Sequence, residues 1–135
     1  MPKKIIALAT AGLALTLLAG CSTGPSKAEQ CNEFSKTVTD AAQGVQASVS
    51  DLQSDPDTAV SKLKELDDKI GEGVDDIQDA DLKKKADAFQ SAYSDMVSQI
   101  EKIADDPQSA DVSGLTESSS KVQETGNAFQ KECTA

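Results

Sequence analysis

The fold is decided by residues 31–52, which read CNEFSKTVTDAAQGVQASVSDL. Apolar side chains recur here at alternating steps of three and four residues, which places them on one face of an α-helix. The positions are Cys31, Phe34, Val38, Ala41 with Ala42, Val45, Val49 and Leu52. The stretch predicts a first helix with one buried stripe. Asp55-Pro56 ends this helix and begins the next, because aspartate caps a helix and proline fits its first turn.

The same period continues along the rest of the chain. Helix 2 carries Val60, Leu63, Leu66, Ile70, Val74 and Ile77, helix 3 carries Leu82, Ala86, Phe89, Tyr93, Met96, Ile100 and Ile103, and helix 4 carries Val112, Leu115, Val122, Phe129 and Cys133. The phase breaks between Ile77 and Leu82, which predicts a turn over 78–81 with Asp79 or Asp81 as the cap. Without that break, residues 57–105 would form one long helix.

The pattern as a whole predicts an all-α protein, and no strand pattern is present. Four helices of about 22–26 residues joined by short loops are antiparallel neighbours. We therefore expect an up-down-up-down four-helix bundle over residues 29–135. The stripe that leads to Asp55-Pro56 also overlays the stripe that leads to Asp106-Pro107, which indicates either a duplicated hairpin or only a shared helical period.

The composition excludes several functions. The formal net charge is -10, all 13 basic residues are lysine, and the sequence has no arginine, histidine or tryptophan. An acidic chain without arginine lacks the electrostatic footprint of a nucleic-acid-binding protein. Without histidine, it also lacks the commonest general base. No Gly-x-Ser-x-Gly motif or phosphate loop is present. We expect no enzymatic activity, no cofactor and no nucleic-acid partner.

Acidic residues gather on one face of helix 2, away from the apolar stripe. They are Asp68, Glu72, Asp75, Asp76 and Asp79. A hard cation needs oxygen ligands that converge on a tight loop, and no Asp-rich segment here is followed by the glycine and distal glutamate of a calcium loop. We expect a solvated face and no metal site.

The aromatic side chains concentrate near the end of the predicted bundle at which Cys31 and Cys133 lie. Phe34, Phe89 and Phe129 fall near one end of the predicted bundle, and Tyr93 lies one helical turn deeper than Phe89. These four residues are the best core formers in a chain with few aromatic residues. They are also the candidates for lining an apolar ligand pocket.

The N-terminal segment has the features of an export signal. Lys3 and Lys4 precede an apolar run from Ile5 to Ala19, and a run of roughly 15 residues is too short to cross a bilayer as a helix. The run closes on Leu18-Ala19-Gly20-Cys21, which resembles the bacterial lipobox. This resemblance implies cleavage before Cys21, a lipid on its sulfur and an acylated amino terminus. Residues 1–20 would then be the signal peptide and 21–28 an acylated tether. The alternative is an ordinary signal with a chance cysteine.

Lipidation of Cys21 also determines how the other two cysteines are interpreted. Three cysteines is an odd number, and lipidation of Cys21 leaves Cys31 and Cys133. In an oxidising compartment these two form a disulfide, and two free thiols are the alternative. A disulfide agrees with four helices, because an even number returns the chain to the same end of the bundle. Three helices would leave the two cysteines about 35 Å apart, beyond the reach of a disulfide.

The chain as a whole resembles small, cysteine-bracketed helical lipoproteins of bacteria. The resemblance rests on the lipobox, on Ala28-Glu29-Gln30-Cys31-Asn32 and on Phe129-Gln130-Lys131-Glu132-Cys133. It implies a location in the cell envelope, with the membrane contacted through the lipid on Cys21, and no known activity. We expect a non-enzymatic binding or structural module with an envelope protein as its partner. The alternative is a carrier of a small apolar ligand, held by the aromatic cluster.

The loops at the far end of the predicted bundle are the expected contact site for a protein partner. They contain Asp55-Pro56 and residues 105–111. Recognition is usually carried by loops on a rigid scaffold.

Overall fold

The computed structural model describes residues 24–135 and confirms the four-helix bundle. Helix α1 spans Lys27–Asp51, α2 spans Pro56–Asp75, α3 spans Ala80–Asp105 and α4 spans Val112–Thr134, with a short 3-10 turn at Pro107–Ser109. No strand occurs in this part of the chain. Helix α1 packs on α2, α2 on α3 and α3 on α4, and α1 contacts α4 less than in any of these three pairs.

Each helix begins at a side-chain cap. Ser26, Asp55, Asp79 and Asp111 each accept a hydrogen bond from the backbone N–H three residues later, at distances of 2.8 to 3.2 Å. These bonds satisfy one of the free amides that every helix start leaves. The caps expected at Asp55 and in the turn before helix 3 are confirmed, and the latter is Asp79.

Two helix boundaries differ from the sequence pattern. Helix α1 begins at Lys27, so the last two residues of the expected tether belong to the helix, because Ser26 and Glu29 form a reciprocal capping box. Helix α2 ends at Asp75, so Ile77 lies in the following turn. Ile77 is nevertheless buried in the core, and its apolar side chain holds the turn against the bundle.

The N-terminal end of α1 and the C-terminal end of α4 meet at one pole. The Cys31–Cys133 disulfide joins them there, with 5.8 Å between the Cα atoms, so the expected disulfide is confirmed. We call this end the disulfide pole, and the opposite end, which carries the two Asp-Pro loops, the distal pole. Residues 24–135 contain the four helices, their caps, the disulfide and a continuous core.

Most residues of the apolar stripes meet in that core. The largest fully buried side chains include Phe34, Leu63, Ile70 and Leu82. Val112, which the pattern places on the stripe of helix 4, is instead 68% exposed. It is the first residue of α4, and this helix first contacts the core at Leu115.

Candidate functional site

The three phenylalanines of the predicted pocket pack against one another at the disulfide pole. The rings of Phe34 and Phe129 have centroids 4.6 Å apart, and those of Phe34 and Phe89 are 6.1 Å apart with nearly perpendicular planes. All three side chains are buried. The edge-to-face arrangement is a favourable one for aromatic pairs and adds to the burial of their area. These rings therefore fill much of the space that they would have to leave open for a ligand.

A small cleft lies beside the rings. Its volume is about 90 Å³, and Phe34, Phe89 and Phe129 line it together with Val38. Ligand sites in proteins usually measure roughly 300–1,000 Å³. The cleft is therefore too small for a ligand of ordinary size. The candidate pocket at the aromatic cluster stays a prediction, and a more apolar opening of greater volume than this cleft lies further along the bundle.

That opening is a groove of about 310 Å³ between α1 and α4, with α3 as its floor. We call it the α1/α4 groove. Its apolar walls and floor come from Val38, Ala41, Ala42 and Val45 of α1, Phe89, Tyr93 and Met96 of α3, and Val122 of α4. Gln46, Ser119 and Gln123 complete the lining, which contains no formally charged side chain. Of the four predicted pocket residues, Phe89 and Tyr93 therefore belong to this groove as well.

The groove exists because α1 and α4 are joined chiefly at the disulfide pole. There the Cys31–Cys133 disulfide and the Phe34–Phe129 contact hold the two helices together. Lys27 Nζ adds an ion pair with Glu132 Oε1 at 2.8 Å. Further along, the two helices present small side chains to each other, among them Ala41, Ala42 and Ser119. Small side chains on facing walls do not fill the space between the helices, and the seam stays open.

Tyr93 is the chemically unusual residue of the groove. Its side chain is only 2% exposed, and its hydroxyl finds no hydrogen-bond partner among residues 24–135. Burial raises the pKa of this phenol well above its ordinary value, and the negative charge of Asp67 raises it further. The hydroxyl therefore stays protonated at any physiological pH. A buried polar atom without a partner is rare in folded proteins and calls for an explanation.

A second apolar recess lies at the distal pole. It measures about 260 Å³ and is lined by Leu52, Pro56, Ile100, Ile103, Ala104, Pro107 and Leu115. Both Asp-Pro loops contribute their prolines to it. We call it the distal recess. The loops that the sequence marks as a contact site thus enclose an apolar surface.

The acidic residues of helix 2 do not converge on a site. Asp68, Glu72, Asp75 and Asp76 are exposed, and Asp79 caps α3. In the described part of the chain, no group of three or more acidic or cysteine side chains is placed to hold a metal ion. Nor does any helix there have the length and apolar character to cross a membrane.

Gln30 is a structural residue that the sequence pattern does not reveal. Its Oε1 accepts hydrogen bonds from the backbone N–H groups of Gln78 and Asp79, at 2.6 and 3.0 Å. Its Nε2 donates to the carbonyl of Pro25 at 2.8 Å. Gln30 is buried and ties the start of α1 to the turn between α2 and α3. Hydrophobic periodicity carries no signal for such a polar contact.

The expected signal peptide, the lipidation site Cys21 and the first residues of the tether lie outside the described residues. Comparisons with protein-family models, with curated proteins and with solved structures find no match for this chain. The candidate site therefore rests on the geometry of the α1/α4 groove.

Proposed function

We propose that this chain is a lipid-anchored binding module of a bacterial cell envelope, without enzymatic activity. The lipobox-like stretch that ends at Cys21 supports the anchor. The Cys31–Cys133 disulfide supports export, because such bonds persist in oxidising compartments. Since α1 begins at Lys27, the tether would comprise residues 22–26 and reach about 17 Å when extended. The disulfide pole would therefore sit close to the lipid.

The observation that carries the binding role is the α1/α4 groove. It is apolar, reaches the lower end of the size range of ligand sites, and lies on a scaffold held rigid by the disulfide. Its only titratable side chain is Tyr93, whose raised pKa keeps it protonated. This lining suits retention of a small apolar ligand and places no basic side chain beside the hydroxyls of Tyr93 and Ser119 to activate them. Two occupants are expected from the sequence, an envelope protein and a small apolar ligand. The groove favours the small apolar ligand.

Ligand binding is tested by occluding the groove. Ala42 lies on the exposed rim of α1, so Ala42→Phe directs a ring into the groove without displacing the core. The chain from Ser22 to Ala135 is titrated with naphthalene, and amide chemical shifts are followed by NMR. We expect Ala42→Phe to weaken binding about tenfold or more, because the ring removes more than ~1.4 kcal/mol of apolar contact.

The matched control is Ala47→Phe, which adds the same ring to an exposed position of α1 outside the groove. It should leave naphthalene binding unchanged. Equal binding to the wild type and to both variants, or no binding to any of them, would contradict the ligand-carrier function.

Anchoring is tested separately in intact cells. Cys21→Ser should release the protein from membranes, because several acyl chains on one residue exceed the two signals that stable anchoring needs. Mass spectrometry of the mutant separates a processed, soluble chain from an uncleaved precursor. If a processed mutant still sediments with membranes, the lipid anchor is wrong.

A protein partner is the second candidate, and the distal recess favours it. An apolar recess of about 260 Å³ is framed by the two loops that face away from the expected membrane side. Crosslinking in intact cells, with the exposed Gln108 of the distal loop replaced by a photoreactive residue, would identify such a partner. A probe at the exposed Gln43 of α1 serves as the control.

A further inference from the structure

We propose that the occupant of the α1/α4 groove is an uncharged single-chain lipid, which lies extended along the seam between α1 and α4 and also fills the small cleft at the disulfide pole. The proposal rests on the ligand-carrier function and narrows it to one chemical class. Its members have one long, unbranched hydrocarbon chain and a neutral head, as a monoacylglycerol does.

The two openings along the seam adjoin each other. The small cleft beside the aromatic rings, which we call the pole cleft, shares Val38 and Phe89 with the α1/α4 groove. Their combined lining falls within residues 35–46 of α1 and residues 119–130 of α4. These two spans are equal in length, and both extend from the disulfide pole toward the middle of the bundle. The openings therefore form one trough that runs parallel to the two helices.

The trough is long, and its end at the pole is small. Each of the two helical spans measures about 16 Å at ~1.5 Å per residue. The pole cleft has a volume of about 90 Å³, whereas an apolar cavity that holds a benzene ring measures about 150 Å³. The pole cleft is thus too small for a ring but can hold a few methylene groups. An extended chain advances about 1.25 Å per carbon with bonds of ~1.5 Å, so about 12 carbons match the trough.

The lining of the trough is uncharged. None of the residues along either opening carries a formal charge, although the chain has a net charge of -10. Phe89, Met96 and Val122 offer apolar contact, and neutral polar side chains such as Gln46 and Gln130 accompany them. An anionic head would find no lysine in this lining and would be repelled by the acidic protein. The lining therefore favours a hydrocarbon chain with a neutral head.

The position of the pole cleft gives such a chain a route into the trough. The cleft lies at the disulfide pole, which the proposed tether of residues 22–26 would keep close to the lipid. A lipid that leaves the bilayer would meet this end of the trough first. Its chain would then follow the seam toward the larger, more apolar groove.

The experiment varies the chain length under a constant head. The probes are glycerol monododecanoate and glycerol monooctanoate, each kept below the concentration at which it forms micelles. Binding to the chain from Ser22 to Ala135 is measured by NMR titration. The part of α1 that lines the α1/α4 groove, residues 38–46, is about 12 Å long. An eight-carbon chain of about 10 Å fits within this groove alone, whereas a twelve-carbon chain of about 15 Å also needs the pole cleft.

Four variants separate the two openings. Gly126→Leu closes the pole cleft, because a Cβ atom at Gly126 would lie 3.5 Å from the ring of Phe89, in ordinary van der Waals contact. Thr39→Phe closes the same cleft from an exposed position of α1 and serves if Gly126→Leu fails to fold. Ala42→Phe closes the α1/α4 groove. The matched control is Asn127→Leu, at an exposed position of α4 outside both openings.

We expect the wild type to bind monododecanoate at least tenfold more tightly than monooctanoate, because four more methylene groups are buried. Gly126→Leu and Thr39→Phe should weaken monododecanoate binding about threefold or more and leave monooctanoate binding unchanged. Ala42→Phe should weaken the binding of both esters, and Asn127→Leu should change neither. Free dodecanoate should bind the wild type more weakly than its glycerol ester.

Unchanged monododecanoate binding in both pole-cleft variants, while Ala42→Phe still weakens naphthalene binding, would overturn the extended chain and leave the carrier function standing. Tighter binding of dodecanoate than of its ester would overturn the neutral head. Equal binding of naphthalene and both esters to the wild type and Ala42→Phe would overturn the carrier function as well. Analytical ultracentrifugation of the lipid-free chain tests a second copy as the occupant: a dimer that Ala42→Phe dissociates would overturn the proposal.

Discussion

Replacement of Tyr93 by phenylalanine should stabilise the ligand-free protein. Loss of a buried tyrosine hydroxyl ordinarily destabilises a fold, because a hydrogen bond is lost. Here the hydroxyl has no partner among the described residues, and the side chain is only 2% exposed. An unsatisfied buried polar group costs about 1–3 kcal/mol. Since the ring stays in place, we expect a gain of about 1 kcal/mol and a midpoint of thermal unfolding raised by about 4 °C.

The pH dependence of stability gives a second signature of the same residue. In the unfolded chain a tyrosine loses its proton near pH 10, whereas burial keeps the folded-state pKa of Tyr93 well above that. The folded state therefore retains a proton that the unfolded state releases. Stability conferred by the neutral phenol is fully present below pH 10 and is lost above it, at about 1.4 kcal/mol per pH unit. Tyr93→Phe should lack this loss.

The assay is urea denaturation of the wild type and Tyr93→Phe at neutral pH and between pH 10 and 11, after unfolding and refolding to strip bound apolar molecules. Lysine titration is common to both proteins and cancels in the difference. Tyr93 is the single tyrosine, and the chain has no tryptophan, so phenolate absorbance reports Tyr93 alone. A destabilisation of more than about 0.5 kcal/mol at neutral pH would show that the hydroxyl has a partner and refute the reasoning. Phenolate formation near pH 10 in the folded protein would refute the burial.

Three further predictions concern stability. The double substitution Cys31→Ala and Cys133→Ala should lower the free energy of unfolding, measured by urea denaturation, by up to ~4.7 kcal/mol, because the disulfide closes a loop with a sequence separation of 102. A loss below ~1 kcal/mol would contradict this account. Gln30→Leu should cost about 2 kcal/mol by leaving two backbone N–H groups unpaired, whereas Gln43→Leu on the exposed face of α1 should cost little. Asp111→Ala should lower the free energy of unfolding by about 1 kcal/mol, because α4 loses its cap. Gln108→Ala should lower it by less than ~0.5 kcal/mol, and equal losses in the two variants would contradict the capping role of Asp111.

The helices themselves could be predicted from local information. A stripe with the period of an α-helix records which residues face inward, and Asp55-Pro56 and Asp106-Pro107 mark where two helices stop. The phase slip after Ile77 locates the turn between α2 and α3 to within a few residues. Such signals are short in range, because a cap reaches three residues along the chain and a stripe repeats every turn. The disulfide could be predicted because lipidation of Cys21 leaves two cysteines in an oxidising compartment, and an even number of helices agrees with it by returning both cysteines to one pole.

Two further local signals in the sequence mark helix starts. Ser26 and Glu29 have the spacing of a capping box, which places the start of α1 at Lys27. Asp111 precedes the apolar stripe of α4 and is its cap, so it is not an ordinary surface residue of the distal loop.

The candidate site depended on the tertiary structure. Periodicity alone predicts that Val38, Tyr93 and Val122 face inward, but it does not say whether the space between the inward faces is filled. That depends on how far apart α1 and α4 lie, and their main connections are at the disulfide pole. For the same reason the pattern could not show that Val112 is exposed, that Gln30 bonds across the bundle, or that the hydroxyl of Tyr93 lacks a partner. Each of these depends on side chains that are distant in sequence and adjacent only after the helices have packed.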